Sequence, residues 1–291
     1  MVWLQRQRGF TLIEMVMVIT ILGVVASMVA VFMKSPIDAY FASSRRAALT
    51  DVADTTVRRM ARDIHKALPN SLRTPGSSCV EFITTKTGGR YRADGAAAAL
   101  AIGVSDTSFN MLGGNSAPVP PSQRISLGDT VVVYNLGIPG ADAYSSTNLN
   151  RSTVSATPTE SLSPPETSIP IASATFALGS GSNRFHVVPA NEPVVGYVCS
   201  GVGTSAAGQG TGVLSRYVAT LPYAAPTSCP AAAVGGNIIG VSTLATRVSA
   251  CSFDYSGSDL QRNALVRMAI AVTDSSETVS LYHEVHVNNT P

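Results

Sequence analysis

The sequence predicts an α+β protein in which one long N-terminal α-helix packs on an antiparallel β-sheet. Two observations support this prediction. Residues 10–68 have the composition and spacing of a helix, whereas residues from 73 onward form short β-rich runs. Because strands that alternate with helices indicate a parallel sheet, one helix followed only by strands favours an antiparallel sheet. We therefore expect one helix and one β-rich globular domain over residues 73–291.

The first part of the predicted helix is apolar enough to cross a membrane. Residues 10–33 contain one ionisable side chain, Glu14, among 24 residues. A helix of this length, rising ~1.5 Å per residue, spans ~36 Å, slightly more than the hydrocarbon core of a bilayer. We predict a transmembrane helix over residues 10–35. Pro36 removes a backbone donor and is expected to kink the helix.

From residue 36 to residue 72 the pattern is that of an amphipathic helix. Apolar side chains recur at helical spacing, and most charged side chains lie off their stripe. We expect this stripe to pack on the globular domain, and we expect Pro69 and Asn70 to end the helix. The stripe consists of Leu49, Val52, Ala53, Thr56, Met60, Ile64 and Leu68.

The remainder of the chain carries β-strand patterns. Its last two runs alternate between apolar and polar residues around a turn near Ser275, which predicts a hairpin. Residues 145–170 are dominated by Ser, Thr and Pro, and we expect an exposed, mobile loop there. The predicted strands are 79–84, 131–136, 184–188, 194–199, 213–219, 237–244, 248–255, 263–272 and 277–287.

The features around the apolar run stand in the reverse order from those of a secretory signal peptide. A short basic segment with Arg6 and Arg8 comes first, and the small residue Gly9 then precedes the apolar run. In a secretory signal peptide the small residues and the cleavage site follow the apolar run. This order argues against an ordinary signal peptide.

The segment RGFTLIE at residues 8–14 resembles the prepilin processing site of type IV pilins and of type II secretion pseudopilins. The resemblance implies that residues 1–9 are a leader peptide and that a prepilin peptidase cleaves after Gly9. It also implies N-methylation of the new amine on Phe10, and a type IV pilin-like fold with no cofactor. The apolar helix would then anchor the chain in the bacterial inner membrane as a single-pass protein. The C-terminal domain would lie in the periplasm, and the helix would later enter a filament core.

Glu14 is the one charged group of the apolar run. A carboxylate inside a transmembrane helix costs roughly 2.5–3.5 kcal/mol on insertion scales, so such residues tend to be paired and functional. Glu14 lies about one turn after Phe10, whose α-amine would be created by cleavage. The resemblance implies that the Glu14 carboxylate meets this amine on a neighbouring subunit and sets the register between subunits. The alternative is an ordinary membrane anchor with an isolated carboxylate.

Four widely spaced cysteines predict two disulfides in a domain that reaches the periplasm. Of the three possible pairings we expect Cys79–Cys251 with Cys199–Cys229. Cys79 and Cys251 each lie near the start of an apolar strand, whereas Cys199 and Cys229 flank the strand at 213–219. Four buried thiols are the alternative.

Composition and motifs argue against catalysis, metal binding and nucleic-acid binding. The net charge is +2, from 20 basic and 18 acidic residues, and it falls to near zero when Arg6 and Arg8 are removed, so we expect no nucleic acid as a partner. His283 and His286 stand three apart in a predicted strand, which points them to opposite faces and argues against a metal site. We find no catalytic residues and expect no small-molecule substrate.

Four other segments resemble the O-protein family of mannose-sensitive haemagglutinin (MSHA) pilus biogenesis. The resemblance implies a minor type IV pilin that initiates or tips a pilus together with other minor and major pilins. One alternative is a J-type pseudopilin of a type II secretion system. The other is a ligand-binding adhesin at a pilus tip that uses residues 93–236. The segments that carry the resemblance are 67–73, 248–257, 260–272 and 280–291.

Overall fold

The computed structural model describes residues 9–95, 98–147, 149–255 and 263–291. The chain divides into two compact units, the first ending at Ala48 and the second comprising Leu49–Pro291. Within the described residues, one helix is followed only by strands and one short 3₁₀ turn. The elements are α1 (Leu12–Ile64), β1 (Arg73–Gly76), β2 (Cys79–Ile83), β3 (Thr87–Arg90), β4 (Ser105–Leu112), β5 (Thr130–Val133), β6 (Arg151–Thr153), β7 (Thr159–Leu162), β8 (Pro165–Thr175), β9 (Arg184–Val188), β10 (Val194–Ser200), β11 (Gly212–Ala219), β12 (Ile238–Tyr255), β13 (Asn263–Asp274) and β14 (Glu277–Asn288).

The strands form three sheets, and their neighbouring strands pair antiparallel, which confirms the predicted α+β class. The main sheet has seven strands in the order β1-β2-β10-β11-β12-β13-β14. The second sheet has the order β3-β9-β5-β6 and the third has the order β4-β8-β7. Because β2 pairs directly with β10, the chain from β3 to β9 is an insertion between two neighbouring strands of the main sheet.

Successive side chains of each strand point to opposite faces of the main sheet, and both faces are buried. On β10, Val195 and Tyr197 pack in a cluster with the helix, whereas Val194 and Val198 pack in a second cluster with Val132 and other residues of the inserted segment. A third cluster lies between the second and third sheets. The layers of the second unit therefore run from helix to main sheet, then to the second sheet and to the third.

The predicted apolar stripe of the helix is largely confirmed. Leu49, Ala53, Met60 and Ile64 are buried against the main sheet, as their spacing requires. Val52 is the exception, since it is 40% exposed. Val57 and Ala61, which the predicted stripe did not include, are buried, so the buried face is displaced around the helix relative to the prediction.

The helix ends at Ile64, and the predicted continuation through residue 72 is wrong. The backbone N–H of Leu68 donates to the carbonyl of Ile83 at 2.8 Å, and Ala67 forms a bridge with Thr84. The chain leaves the helix early because these groups pair with the end of β2. Leu68 is buried, but it lies in the cluster on the other face of the main sheet. Pro36 lies inside α1 and does not end it.

The expected loop at 145–170 is wrong for half of its length, because 13 of its 26 residues lie in β6, β7 and the first half of β8, although Thr159–Leu162 are exposed as expected. Ser152 and Thr167 are buried. Their hydroxyls donate to the carbonyls of Ala172 at 2.6 Å and Gly113 at 2.8 Å. Hydroxyl side chains satisfied in this way can be buried within a sheet, which composition alone does not reveal.

A polar cluster fixes the end of the helix on the main sheet. The Tyr197 hydroxyl donates to Asp63 at 2.6 Å, and Nε of Arg216 donates to the same carboxylate at 3.1 Å. The other guanidinium nitrogens of Arg216 donate to Glu192 at 3.2 and 3.1 Å. Burial and the hydrogen bond to Asp63 raise the pKa of Tyr197, so that its hydroxyl remains a donor. Arg216 is therefore the nearer and more buried of the two cations that pair with Asp63, since Nζ of Lys66 lies 4.0 Å from this carboxylate and Lys66 is mostly exposed.

Two disulfides form, but not in the predicted pairs. Cys79 is bonded to Cys229, with Cα atoms 5.5 Å apart, and Cys199 is bonded to Cys251, with Cα atoms 6.3 Å apart. Cys199 belongs to the helix-side cluster, whereas Cys79 lies in the cluster on the opposite face. A bond between Cys79 and Cys251 would have to cross the sheet. Each face instead carries one disulfide.

Replacing Arg216 by Ala should destabilise the domain, because it leaves the largely buried carboxylate of Asp63 with only the exposed Lys66, 4.0 Å away, as a cation. Removing one member of a buried ion pair typically costs ~3–5 kcal/mol of unfolding free energy. Arg267→Ala is the matched control, since Arg267 pairs with two carboxylates that are about half exposed. Denaturant unfolding of the full chain in detergent, followed by circular dichroism, should show a large loss for Arg216→Ala and a loss near the detection limit for Arg267→Ala. Equal losses would contradict the role of Arg216.

Peptide mapping without reduction should find Cys79 joined to Cys229 and Cys199 joined to Cys251. Trypsin places the four cysteines in four different peptides, so mass spectrometry of the linked peptides distinguishes all three pairings. Detection of Cys79 linked to Cys251 would refute the assignment of one disulfide to each face of the sheet.

Candidate processing and assembly site at the helix N-terminus

The described chain starts with three residues that lie outside regular structure, Gly9, Phe10 and Thr11. Gly9 and Phe10 precede α1, both are exposed, and Phe10 is 81% exposed. A Cβ atom added at Gly9 would meet no atom within 4 Å. Packing within the described chain therefore does not require glycine at this position. The rest of the predicted leader, residues 1–8, lies outside the described residues.

Thr11 and Glu14 form a capping box at the start of α1. The backbone N–H of Thr11 donates to Oε2 of Glu14 at 2.9 Å, and the Thr11 hydroxyl donates to the same oxygen at 3.0 Å. In return, the backbone N–H of Glu14 donates to the Thr11 hydroxyl oxygen at 3.3 Å. This reciprocal pattern satisfies backbone donors that a helix N-terminus otherwise leaves unpaired.

The capping box uses only one oxygen of the Glu14 carboxylate. Both hydrogen bonds from Thr11 end on Oε2, and within the described part of the chain Oε1 has no donor and the carboxylate has no cationic partner. The side chain is thus held in one place while its charge stays uncompensated.

The rest of the apolar segment has a surface that suits lipid or other apolar helices. Large side chains from Leu12 to Phe32 are exposed, by 47% to 83%. The two hydroxyls in this stretch bond to the helix itself: Thr20 donates to the carbonyl of Val16 at 3.0 Å and Ser27 to that of Val24 at 2.7 Å. Polar groups satisfied within the helix can enter hydrocarbon at low cost. By length and composition α1 is able to cross a membrane.

Thr11 is the functional residue that the sequence reasoning missed. The signal was present, because Thr-x-x-Glu directly before an apolar run is the sequence pattern of a capping box. The structure places Thr11 and Glu14 together, and the amine expected on Phe10 belongs to the chain one residue earlier.

The two histidines of the C-terminal strand lie on β14 opposite Met268 and Leu265, respectively. His283 and His286 are three residues apart on a strand, so they point to opposite faces, as predicted. Among the residues that the structure describes, no three side chains of the metal-binding types come together.

Residues 4–30 match the model of the family described as the prokaryotic N-terminal methylation motif. No curated protein and no solved structure matches the chain. The matched segment contains Gly9, Phe10 and the capping box. Together with the exposed apolar helix and the antiparallel sheets, the match supports a type IV pilin or pseudopilin, a class that is processed by prepilin peptidase and assembles with other pilins.

Proposed function

We propose that the chain is a minor type IV pilin of the MSHA type that acts in pilus assembly as an initiating or tip subunit. One observation carries the assembly role: Glu14 is held by Thr11 on Oε2 and leaves Oε1 without a partner among the described residues. An apolar helix that presents one fixed and uncompensated carboxylate is suited to bind a cation on another apolar helix.

Processing supplies that cation. Hydrolysis of the peptide bond between Gly9 and Phe10 releases the leader and leaves an α-ammonium group on Phe10. The amine keeps its positive charge when a methyl group is transferred to it. The exposed, non-helical Gly9 and Phe10 give a peptidase access to the bond, and the capping box starts at the next residue and stays intact.

The apolar helix and the disulfides support a chain that is anchored in the membrane with its globular domain outside the cytoplasm. The apolar part of α1 would hold the chain in the inner membrane as a single pass, with the β-rich domain in the periplasm. Two disulfides in this domain support an oxidising compartment, since cytosolic thiols are kept reduced.

Assembly would then pair the carboxylate of one subunit with the amine of its neighbour. In an apolar bundle each charge alone is expensive, and the pair neutralises both. Because the hydrogen bonds from Thr11 fix where the carboxylate lies, the axial offset between two helices is fixed as well. This pairing sets the register between subunits.

The initiating or tip role draws support from the inserted segment between β2 and β10. This segment has its own hydrophobic cluster and two additional sheets. A subunit at the end of a filament has neighbours on one side only, so a bulky insertion is tolerated there. Three of the four segments that resemble the MSHA family fall largely on β12, β13 and β14, and the fourth, 67–73, runs from the end of α1 to the start of β1; all four lie outside the insertion.

A J-type pseudopilin would have the same N-terminal chemistry, and its place of assembly distinguishes it. A minor pilin should be found in pili sheared from the cell surface, and its deletion should reduce pilus number. A pseudopilin should be absent from sheared pili, and its deletion should block export of secreted proteins. The adhesin alternative predicts normal pilus number without the chain and a loss of attachment.

Gly9→Val should block removal of the leader, because a branched side chain next to the scissile bond hinders the peptidase. An immunoblot should show the precursor, larger by the nine-residue leader, in place of the mature chain. Gly240→Val is the control, since a Cβ atom at Gly240 also meets nothing within 4 Å and the residue lies far from the motif in sequence. Normal processing of Gly9→Val in cells with active prepilin peptidase would contradict the proposal.

Substitutions at Glu14 and Thr11 separate the charge from the helix cap. Glu14→Gln keeps an acceptor for the Thr11 donors but removes the charge, whereas Thr11→Val keeps the charge and removes the hydroxyl of the box. Losing one partner of a buried pair costs ~3–5 kcal/mol, which is on the order of a hundredfold or more in an association constant. Glu14→Gln should therefore be cleaved and membrane-resident yet fail to enter filaments, as should Glu14→Ala.

Thr11→Val should enter filaments at a reduced level, because the carboxylate is present but less well positioned. The measurement compares incorporation into sheared filaments at equal membrane abundance. Incorporation of Glu14→Gln at the wild-type level would show that capping rather than charge is needed, and it would refute the pairing mechanism.

A further inference from the structure

A cavity of about 480 Å³ lies over the pair formed by β3 and β9, in the inserted segment. Arg90 and Arg184 are direct register partners across these strands, and Gly88 is the partner of His186. Because side chains two residues apart on a strand share a face, Arg184 and His186 lie on the same side as Arg90. Two guanidinium groups and one imidazole therefore line one cavity.

The two arginines lie directly opposite each other on neighbouring strands, with no carboxylate among the residues that line their cavity. Like charges placed directly opposite each other on neighbouring strands destabilise a sheet. Other arginines of the domain, such as Arg92 with Glu166, form ion pairs with carboxylates. Within the described residues neither Arg90 nor Arg184 does so, and the residues lining the cavity include no acidic side chain. The cavity is thus a concentration of positive charge that the described fold leaves unneutralised.

His186 and Gly88 shape the floor of the cavity. The Nε2 atom of His186 is buried without a hydrogen-bond partner, and burial together with Arg184 lowers the pKa of this imidazole. A Cβ atom at Gly88 would lie 2.8 Å from the carbonyl oxygen of Phe185 and 3.6 Å from Nδ1 of His186. Glycine here leaves the space beside the imidazole open.

We propose that Arg90, Arg184 and His186 form a binding site for the oxyanion of a small acidic ligand, carried by a carboxylated sugar or by a phosphate. Two guanidinium groups on one face can each donate two hydrogen bonds to such a group. The volume lies within the range of small-molecule sites. The proposal is independent of the assembly role, since it concerns the inserted segment alone.

The lining favours a small ligand over a protein partner. Protein interfaces depend on aromatic or aliphatic anchors that become buried on binding. Phe185 is the one large apolar side chain among the lining residues of the described chain, and it is already 1% exposed. The cavity can therefore bind a ligand mainly through the charges and hydrogen-bond donors of its arginines.

The test titrates the full chain, purified in a non-ionic detergent, with three probes by isothermal calorimetry. Digalacturonate carries the carboxylated sugar, galactobiose is its neutral counterpart, and inorganic phosphate is the second oxyanion. The variants are Arg90→Gln and Arg184→Gln. Arg59→Gln is the control, because Arg59 is an exposed arginine of α1 and its substitution removes the same charge elsewhere.

We expect digalacturonate or phosphate to bind the wild type and Arg59→Gln alike, and to bind either site variant roughly tenfold or more weakly. Binding of digalacturonate assigns the source as an acidic sugar, and binding of phosphate alone assigns it as a phosphate. The thermal midpoints of both site variants should equal or exceed that of the wild type, because each substitution relieves the repulsion between the arginines.

Three results would overturn the proposal. The first is an absence of binding by both anions at millimolar concentration, including the case in which a partner pilin alone is captured through the arginines. The second is binding that galactobiose matches or that the substitutions leave unchanged. The third is a lower thermal midpoint in both variants, which would assign the arginines a structural role.

Discussion

A single carboxylate at the start of an apolar helix is the constraint on which the rest of this molecule depends. Glu14 needs a cation if the helix is to lie among lipid or other apolar helices, and within the described chain none pairs with it. Its bonds to Thr11 satisfy one oxygen and cap the helix, so the carboxylate is positioned but not neutralised. Cleavage after Gly9 would create a cation about one turn away along the chain. The same reaction would thus convert an anchored precursor into a subunit able to assemble.

The globular domain meets a different requirement, since its main sheet must be covered on both faces. The helix covers one face, and the segment inserted between β2 and β10 covers the other. Arg216 neutralises Asp63 where the helix ends, and one disulfide lies on each face. The insertion can therefore carry additional sheets and a basic cavity while the framework that holds the helix stays the same.

Much of this organisation could be predicted from sequence, because the spacing at which apolar residues recur distinguishes a helix from a half-buried strand. The hairpin of β13 and β14 was predicted from its alternation, and Ser275 and Ser276 form its turn with φ of 51° and 63°. The strands of the Ser/Thr-rich region were missed because buried hydroxyls are satisfied by distant backbone groups. The disulfide pairing depends on which face of the sheet each cysteine occupies, and the juxtaposition of Arg90 with Arg184 depends on strand register. Neither the face that a cysteine occupies nor the register of two strands can be read from the residues next to it in the sequence.

The most direct test of the central claim is the identity of the mature N-terminus. The chain should be purified from membranes of cells with active prepilin peptidase, and its N-terminal peptide should be sequenced by tandem mass spectrometry. The peptide should begin at Phe10 and carry one methyl group on its α-nitrogen, which is the cation that Glu14 requires. A mature chain that still begins at Met1 would contradict the claim, and so would one whose first residue lies beyond Glu14.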